Sequence, residues 1–125
     1  MSTKLRIATF LAPNMLPVYE FSVDAIGREL DCDAELVVGT SFDDFGHGEV
    51  DAGFICGLPY VQLTRQTPAP VELLAAQVIR GDRYAGRPIY FSDVIVQRDS
   101  TARRFDDLRG RSWAYNDPES TPATT

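Results

Sequence analysis

Residues 50–66, VDAGFICGLPYVQLTRQ, are the stretch on which the predicted fold depends. Its first part, residues 50–56, is apolar enough to predict a strand that is buried on both faces of a sheet. Gly57 and Pro59 then mark a turn, and residues 60–66 have room for about two turns of helix. A buried strand followed at once by a helix is the unit from which parallel, helix-covered sheets are built.

The same strand-helix unit occurs twice before this stretch. Residues 4–10 alternate apolar and polar side chains, which predicts a strand. Apolar residues recur at helical spacing over residues 19–30, and residues 34–39 predict a second strand, with a short helix after Ser41. The order β-α-β-α-β-α over the first 66 residues therefore predicts an α/β fold with a mainly parallel sheet covered by helices.

A long strand is predicted further along the chain, over residues 88–98, PIYFSDVIVQR. Successive side chains of a strand point to opposite faces. This alternation places Tyr90 and Ser92 on one face, and Phe91 and Asp93 on the other.

The sequence NDPEST, residues 116–121, contains the candidate anion donors of the C-terminal part. A short helical turn at residues 105–110 and a last predicted strand, residues 111–116, precede it. A helix that began here would present unpaired N–H groups and the positive end of its dipole. The hydroxyls of Ser120 and Thr121 would add further donors for an anion.

The composition limits the number of domains and the classes of partner. With 125 residues, the chain can form one domain, or one domain and part of another. Its formal net charge of -6 argues against nucleic acid and against anionic membrane surfaces. The single histidine, His47, lies between glycines in a predicted loop, and Cys32 and Cys56 lack the spacing of metal ligands. We therefore predict two free thiols, no metal site and no cofactor.

The N-terminal sequence MSTKLRIATFLAPNML does not have the features of a signal peptide. Thr9, Pro13 and Asn14 interrupt its apolar run, whereas a signal peptide has a longer uninterrupted apolar core. As the sequence is written, the chain is expected to stay in the cytoplasm.

Three segments in this order resemble a known family: VDAGFICGLPYVQL, GRPIYFSDVIVQRDS and FDDLRGRSWAYNDPEST. The sequence is similar over residues 4–121 to the substrate-binding proteins of phosphate, phosphite and phosphonate ABC transporters, which have the type 2 periplasmic binding fold. The resemblance implies two α/β lobes that close on an oxyanion. Residues 1–97 would form the first lobe with a crossover strand. Residues 98–125 would begin a second lobe that is largely missing.

The resemblance also implies a set of ligand-binding residues, which are Tyr90, Ser92, Ser120, Thr121, Gly57 and Tyr60. The family usually continues Ser-Thr-Ser-Gly where this chain has Ser120, Thr121, Pro122 and Ala123. Pro122 has no N–H group to donate and replaces a hydroxyl. We therefore expect a chain cut short after its first lobe, which binds its ligand weakly because closure needs both lobes.

The function that the resemblance implies is recognition, without catalysis, of a phosphate- or phosphonate-like oxyanion for ABC-type uptake. The ligand and a transporter permease would be the partners, and the location would be periplasmic or membrane-associated. One alternative is a cytoplasmic sensor or regulatory lobe, and another is a biosynthetic enzyme on the same fold. The chain is predicted not to be an enzyme, because no positioned base or activated nucleophile is evident. A homodimer in which a second copy completes the missing lobe is a further hypothesis.

Overall fold

The computed structural model describes residues 4–114, and the chain divides into two compact units between Glu72 and Leu73. Residues 4–72 are called the N-terminal unit below, and residues 73–114 the C-terminal unit. The predicted boundary between lobes, near residue 97, falls inside the C-terminal unit and stays a prediction.

The N-terminal unit is built on a three-stranded sheet. Its strands are β1 (Leu5–Thr9), β2 (Ala34–Val38) and β3 (Ala52–Phe54), in the order β2-β1-β3. Both pairings are parallel, and Ile7 of β1 lies opposite Leu36 of β2. The prediction of an α/β fold with a mainly parallel sheet is confirmed.

Three α-helices alternate with the strands: α1 (Leu16–Leu30), α2 (Asp43–Gly46) and α3 (Gly57–Thr64). A single 3-10 turn, Pro13–Met15, leads into α1. Helix α1 is followed by Asp31, which adopts a left-handed conformation with φ of 50°. A left-handed residue commonly follows the last residue of a helix, because it turns the chain so that the N–H groups beyond the helix can bond to its last carbonyl oxygens.

Helices α1 and α2 cover opposite faces of the sheet. A Cβ atom placed on Gly27 of α1 would lie 3.2 Å from the Cβ atom of Ala34. A Cβ atom placed on Gly53 would lie 2.6 Å from the ring of Phe45 in α2. Ala34 and Gly53 belong to opposite sets of the alternating side chains, as the strand register shows. Right-handed crossovers in the order β2-β1-β3 require this arrangement.

The core of the N-terminal unit is centred on β1, the middle strand. Ile7 is 3% exposed, and Ala8 and Thr9 are buried beside it. The other buried apolar side chains come from α1, from the loop before β3 and from α3, and they are Val23, Val50 and Leu63. Strand β1 is therefore the most deeply buried strand of the sheet.

Charged side chains hold β1 to both of its neighbours. Arg6 Nε lies 3.2 Å from a carboxylate oxygen of Glu35 in β2, and Arg6 Nη1 donates to the Glu49 carbonyl oxygen at 2.7 Å. Lys4 Nζ lies 2.7 Å from Glu35 as well. The hydrogen bond from Lys4, together with the positive charges of Lys4 and Arg6, lowers the pKa of Glu35. These contacts support a single register of the strands.

Two details of the predicted stretch 50–66 are corrected. Strand β3 is shorter than predicted and lies at the edge of the sheet, so Ala52 and Phe54 are half-buried and not fully covered. The residues expected to form a turn are the first turn of α3, which begins at Gly57. Pro59 fits there because the first N–H groups of a helix have no partner within it. The two cysteines are free and half-buried, as predicted for the thiols.

The C-terminal unit contains two 3-10 turns, Asp82–Tyr84 and Phe105–Leu108. The strand predicted over residues 88–98 is wrong, because these residues form no ladder within the described part of the chain. The strand predicted over 111–116 is likewise absent over residues 111–114. An alternating apolar pattern predicts a strand only where a neighbouring strand can pair with it. Ile95 is 89% exposed, which shows how little covers this segment.

Candidate functional site

The candidate site of the N-terminal unit is the edge at which its three parallel strands end. This carboxyl edge consists of residues 10–14, 39–41 and 55–60. The Phe10 N–H donates to the Phe54 carbonyl oxygen at 3.0 Å, and the Gly39 N–H donates to the Thr9 carbonyl oxygen at 2.9 Å. The three segments therefore leave the sheet side by side.

The topology singles out the position between β1 and β3. The chain passes from β1 to β2 on one side, and then returns past β1 to β3 on the other. In open α/β sheets, ligands bind outside the carboxyl ends of the strands where the order reverses in this way. Two segments meet at that point, which are the loop after β1, Leu11 to Asn14, and the first turn of α3.

The first turn of α3 presents backbone donors to solvent. Cys56, the residue before the helix, makes no side-chain cap, and the Tyr60 N–H donates to the Cys56 carbonyl oxygen at 3.3 Å. Pro59 has no N–H group. The N–H groups of Gly57 and Leu58 donate to no acceptor within residues 4–114. Two free donors at the positive end of a helix dipole favour a negatively charged ligand.

The loop after β1 begins with a local hydrogen bond. The buried Thr9 hydroxyl accepts from the Leu11 N–H at 3.2 Å. The 3-10 turn Pro13–Met15 follows and leads into α1. This sequence of turns fixes where the loop leaves the sheet. Thr9 was placed in a strand by the sequence pattern, and its part in shaping the loop was not predicted.

Aromatic side chains on both faces of the sheet support the carboxyl edge, and sequence reasoning missed them. The ring centroid of Phe10 lies 4.7 Å from that of Phe42 and 5.6 Å from that of Phe45. On the other face, Tyr19 stacks on Phe54 with centroids 4.7 Å apart. The sequence signal that could have indicated them is the position of Phe10 just after β1 and of Phe54 at the end of β3. Their partners could not be identified without the topology.

The Tyr19 phenol, which packs on Phe54 beside this edge, has a raised pKa. Its partial burial raises the pKa, and electrostatic interaction with the nearby Cys56 side chain raises it further. The phenol is therefore neutral at physiological pH and keeps its O–H donor. A neutral donor beside the stacked Phe54 ring adds no charge that would repel an anion.

The C-terminal unit holds the other described residues of the predicted site. Tyr90 is 61% exposed, and Ser92 is exposed as well. Their sequence neighbours Phe91 and Asp93 both contact Arg83. The hydrogen bond from Arg83 lowers the pKa of Asp93, and the charge of Arg83 adds to this.

The six predicted ligand-binding residues fall into three groups. Gly57 and Tyr60 lie together in the first turn of α3, in the N-terminal unit. Tyr90 and Ser92 lie in one exposed segment of the C-terminal unit. Ser120 and Thr121 lie outside the described residues. The roles of all six residues as ligand contacts stay predictions.

A surface concavity of about 540 Å³ lies at the opposite, amino-terminal edge of the sheet. It is lined by the end of α1 and the start of β2, with residues Val23, Asp24, Gly27, Arg28, Asp31, Cys32, Asp33 and Ala34. Three carboxylates and one guanidinium give it a negative balance. An oxyanion would be repelled there, so this concavity is not a candidate for the anion site.

Two classes of feature are absent from the described part of the chain. No three His, Cys, Asp or Glu side chains among residues 4–114 are grouped so that they could hold a metal ion. None of the helices in the same range is both long enough and apolar enough to span a membrane.

Comparison with known proteins gave one family. A family model described as ABC transporter, phosphonate, periplasmic substrate-binding protein matches residues 8–125. No solved structure gave a significant match. The matched range covers most of the N-terminal unit, the whole C-terminal unit and all six predicted ligand-binding residues.

Proposed function

Since this chain belongs to the phosphonate-type periplasmic substrate-binding proteins of ABC transporters, we propose that it binds a phosphate- or phosphonate-like oxyanion for uptake. The observation that carries the proposal is the pair of N–H groups on Gly57 and Leu58, which have no acceptor among residues 4–114 and lie where the strand order reverses. Backbone donors at a helix N-terminus suit the oxygens of a phosphonate. The family match supports a phosphonate-like ligand.

The remaining contacts are proposed from the same resemblance. The Tyr60 phenol would lie beside the Gly57 and Leu58 donors. Within the C-terminal unit, the hydroxyls of Tyr90 and Ser92 are proposed as ligand contacts in their own right. Ser120 and Thr121 would add two more. A phenol ring such as that of Tyr90 can also pack on the organic substituent that distinguishes a phosphonate from phosphate.

The proposed partner is the permease of an ABC transporter, and the proposed place of action is the periplasm, where the family acts. The sensor alternative predicts the same ligand chemistry with a different output. The homodimer hypothesis is tested separately by sedimentation, in which a monomer at all concentrations would contradict it.

Ligand-observed phosphorus NMR tests the proposed function and tolerates weak binding. We expect the methylphosphonate signal to broaden on addition of the chain, and inorganic phosphate to compete with it. Sulfate at equal ionic strength is the control for unspecific attraction of anions. A methylphosphonate signal that never broadens, or that sulfate restores as well as phosphate does, would contradict the proposal.

Replacing Gly57 with proline should weaken methylphosphonate binding about tenfold, because it deletes one charge-assisted hydrogen bond. Proline is favoured at the first position of a helix, and Cys56 before it already has the extended conformation that precedes proline, with φ of -72° and ψ of 161°. The helix content by circular dichroism should therefore stay unchanged. The dissociation constant from the phosphorus NMR titration is the measurement.

Gly57→Ala is the matched control for this variant. A Cβ atom at position 57 would meet nothing within 4 Å, and the N–H group is kept. Binding to this variant should equal that of the unmodified chain. If the proline and alanine variants bind equally well, the Gly57 N–H group is not a ligand contact.

A further inference from the structure

Three side chains of the C-terminal unit form what we call the Arg83 cluster, which consists of Arg83, Phe91 and Asp93. Arg83 Nη2 donates to Asp93 Oδ1 at 3.0 Å, and Arg83 Nη1 donates to Asp93 Oδ2 at 3.1 Å. Arg83 Cζ also lies 4.2 Å from the centre of the Phe91 ring. Tyr84 extends the cluster, because its ring centroid lies 5.6 Å from that of Phe91.

This geometry uses the features that distinguish arginine from lysine. Two parallel N–H···O bonds match the fork of a guanidinium to the two oxygens of a carboxylate. The flat guanidinium can at the same time lie over an aromatic ring. One side chain therefore restrains two residues, Phe91 and Asp93, that are two positions apart in the chain.

The cluster engages alternate residues of one exposed segment. Phe91 and Asp93 both contact Arg83. Tyr90 and Ser92 alternate with them along the chain. All four residues are exposed, so Tyr90 and Ser92 are accessible to a ligand.

We propose that Arg83 and Asp93 are positioning residues that hold Tyr90 and Ser92 ready for the oxyanion, by restraining the segment in which these two residues alternate with Phe91 and Asp93. The choice of Tyr90 and Ser92 as ligand contacts rests on the proposed function. The restraint itself rests only on the contacts of the Arg83 cluster. Arg83 is engaged by Asp93 and therefore acts through its neighbours.

The restraint is tested by backbone amide relaxation NMR on the full chain, over residues 89–93. In the unmodified chain we expect order parameters of about 0.85, which are typical of a rigid backbone. Asp93→Asn keeps the shape of the side chain but removes its charge, and should lower these values below about 0.6. Asp93→Glu keeps the carboxylate and should restore most of the order.

Asp99→Asn is the matched control, because it removes the same charge from an exposed aspartate of the same unit that makes no ion pair within the described residues. It should leave the order at residues 89–93 unchanged. Equal order in Asp93→Asn and in the unmodified chain would overturn the proposal.

The pH dependence of the order parameters distinguishes a restraint that needs the charge of Asp93 from one that comes from packing alone. The charged group that faces Asp93 is Arg83, whose hydrogen bond lowers the pKa of Asp93, and Tyr84 lies beside Arg83. The folded pKa of Asp93 lies below the ordinary value, so the pair is complete above that value and is lost as the pH falls through the folded pKa. We expect the order parameters of residues 89–93 to fall as the pH falls through the folded pKa of Asp93. In Asp93→Asn these order parameters should not change over that pH range.

Binding of methylphosphonate gives a second, independent readout. In Asp93→Asn, Tyr90 and Ser92 are no longer held in place, which should weaken binding about threefold to tenfold. Asp93→Glu should recover most of the affinity. If the unmodified chain does not bind methylphosphonate, the proposed function fails, while the relaxation data still decide whether the restraint exists. If the order is lost but binding is unchanged, the positioning role is wrong.

Discussion

Replacing Ile7 with alanine is expected to lower the free energy of unfolding by about 3 kcal/mol. Ile7 lies at the middle of the central strand, is 3% exposed and is opposite Leu36 in the register. Its truncation removes buried apolar surface and leaves a cavity that the packed helices on the sheet cannot fill completely. A domain of this size has only about 5–10 kcal/mol of stability, so the loss is large.

Urea unfolding followed by far-ultraviolet circular dichroism measures this effect. Ile95→Ala is the matched control, because it makes the same chemical change at a residue that is 89% exposed. The control should change the free energy of unfolding by less than about 0.5 kcal/mol. Equal effects of the two substitutions would mean that β1 is not the centre of the core.

Replacing Gly39 with alanine is expected to lower the free energy of unfolding by about 2 kcal/mol. A Cβ atom at this position would come within 2.6 Å of three atoms of the Phe10 ring. That ring packs against Phe42 and Phe45, so moving it aside disturbs these contacts. The substitution should therefore disturb the carboxyl edge as well as the stability, and methylphosphonate binding should weaken with it.

Gly46→Ala is the control for a change from glycine to alanine. A Cβ atom on Gly46, the last residue of α2, would meet nothing within 4 Å. Alanine favours helices over glycine by up to about 1 kcal/mol, so this variant should be as stable as the unmodified chain or slightly more stable. A Gly39→Ala variant as stable as Gly46→Ala would contradict the close approach of Phe10.

The alternating strand and helix patterns predicted the fold of the N-terminal unit well. Residues 4–10 and 34–39 gave β1 and β2, because amphipathic and apolar periodicity reports directly which side chains are buried. The limits of β3 and the start of α3 were wrong. Pro59 looked like a turn residue by composition, and only the structure shows that it occupies the first turn of a helix.

The strand predicted over residues 88–98 shows what periodicity cannot supply. Phe91 and Asp93, which the pattern placed on one face, both contact Arg83. A strand also needs a hydrogen-bonded neighbour, and none of the described residues provides one for this segment. The predicted secondary structure is therefore wrong, and the predicted second face with Tyr90 and Ser92 stays a prediction.

The class of the protein was predictable, and the details of the site were less so. The family match confirms the predicted resemblance, and the chain is not an enzyme, because the family consists of binding proteins. Gly57 and Tyr60 were singled out by their place after a strand, and the topology puts that place at the reversal of strand order. The aromatic contacts of Phe10 and Tyr19 join residues far apart in sequence, so no local pattern could reveal them.

The most direct measurement is a titration of the chain with methylphosphonate, followed through its backbone amide signals. We predict saturable shifts concentrated at Leu11, Gly57 and Leu58, and smaller shifts with sulfate at the same ionic strength. Amides at the amino-terminal edge, such as those of Cys32 and Ala34, should not respond. Saturable shifts confined to the amino-terminal edge, or none at the carboxyl edge, would contradict binding of a phosphonate where the strand order reverses.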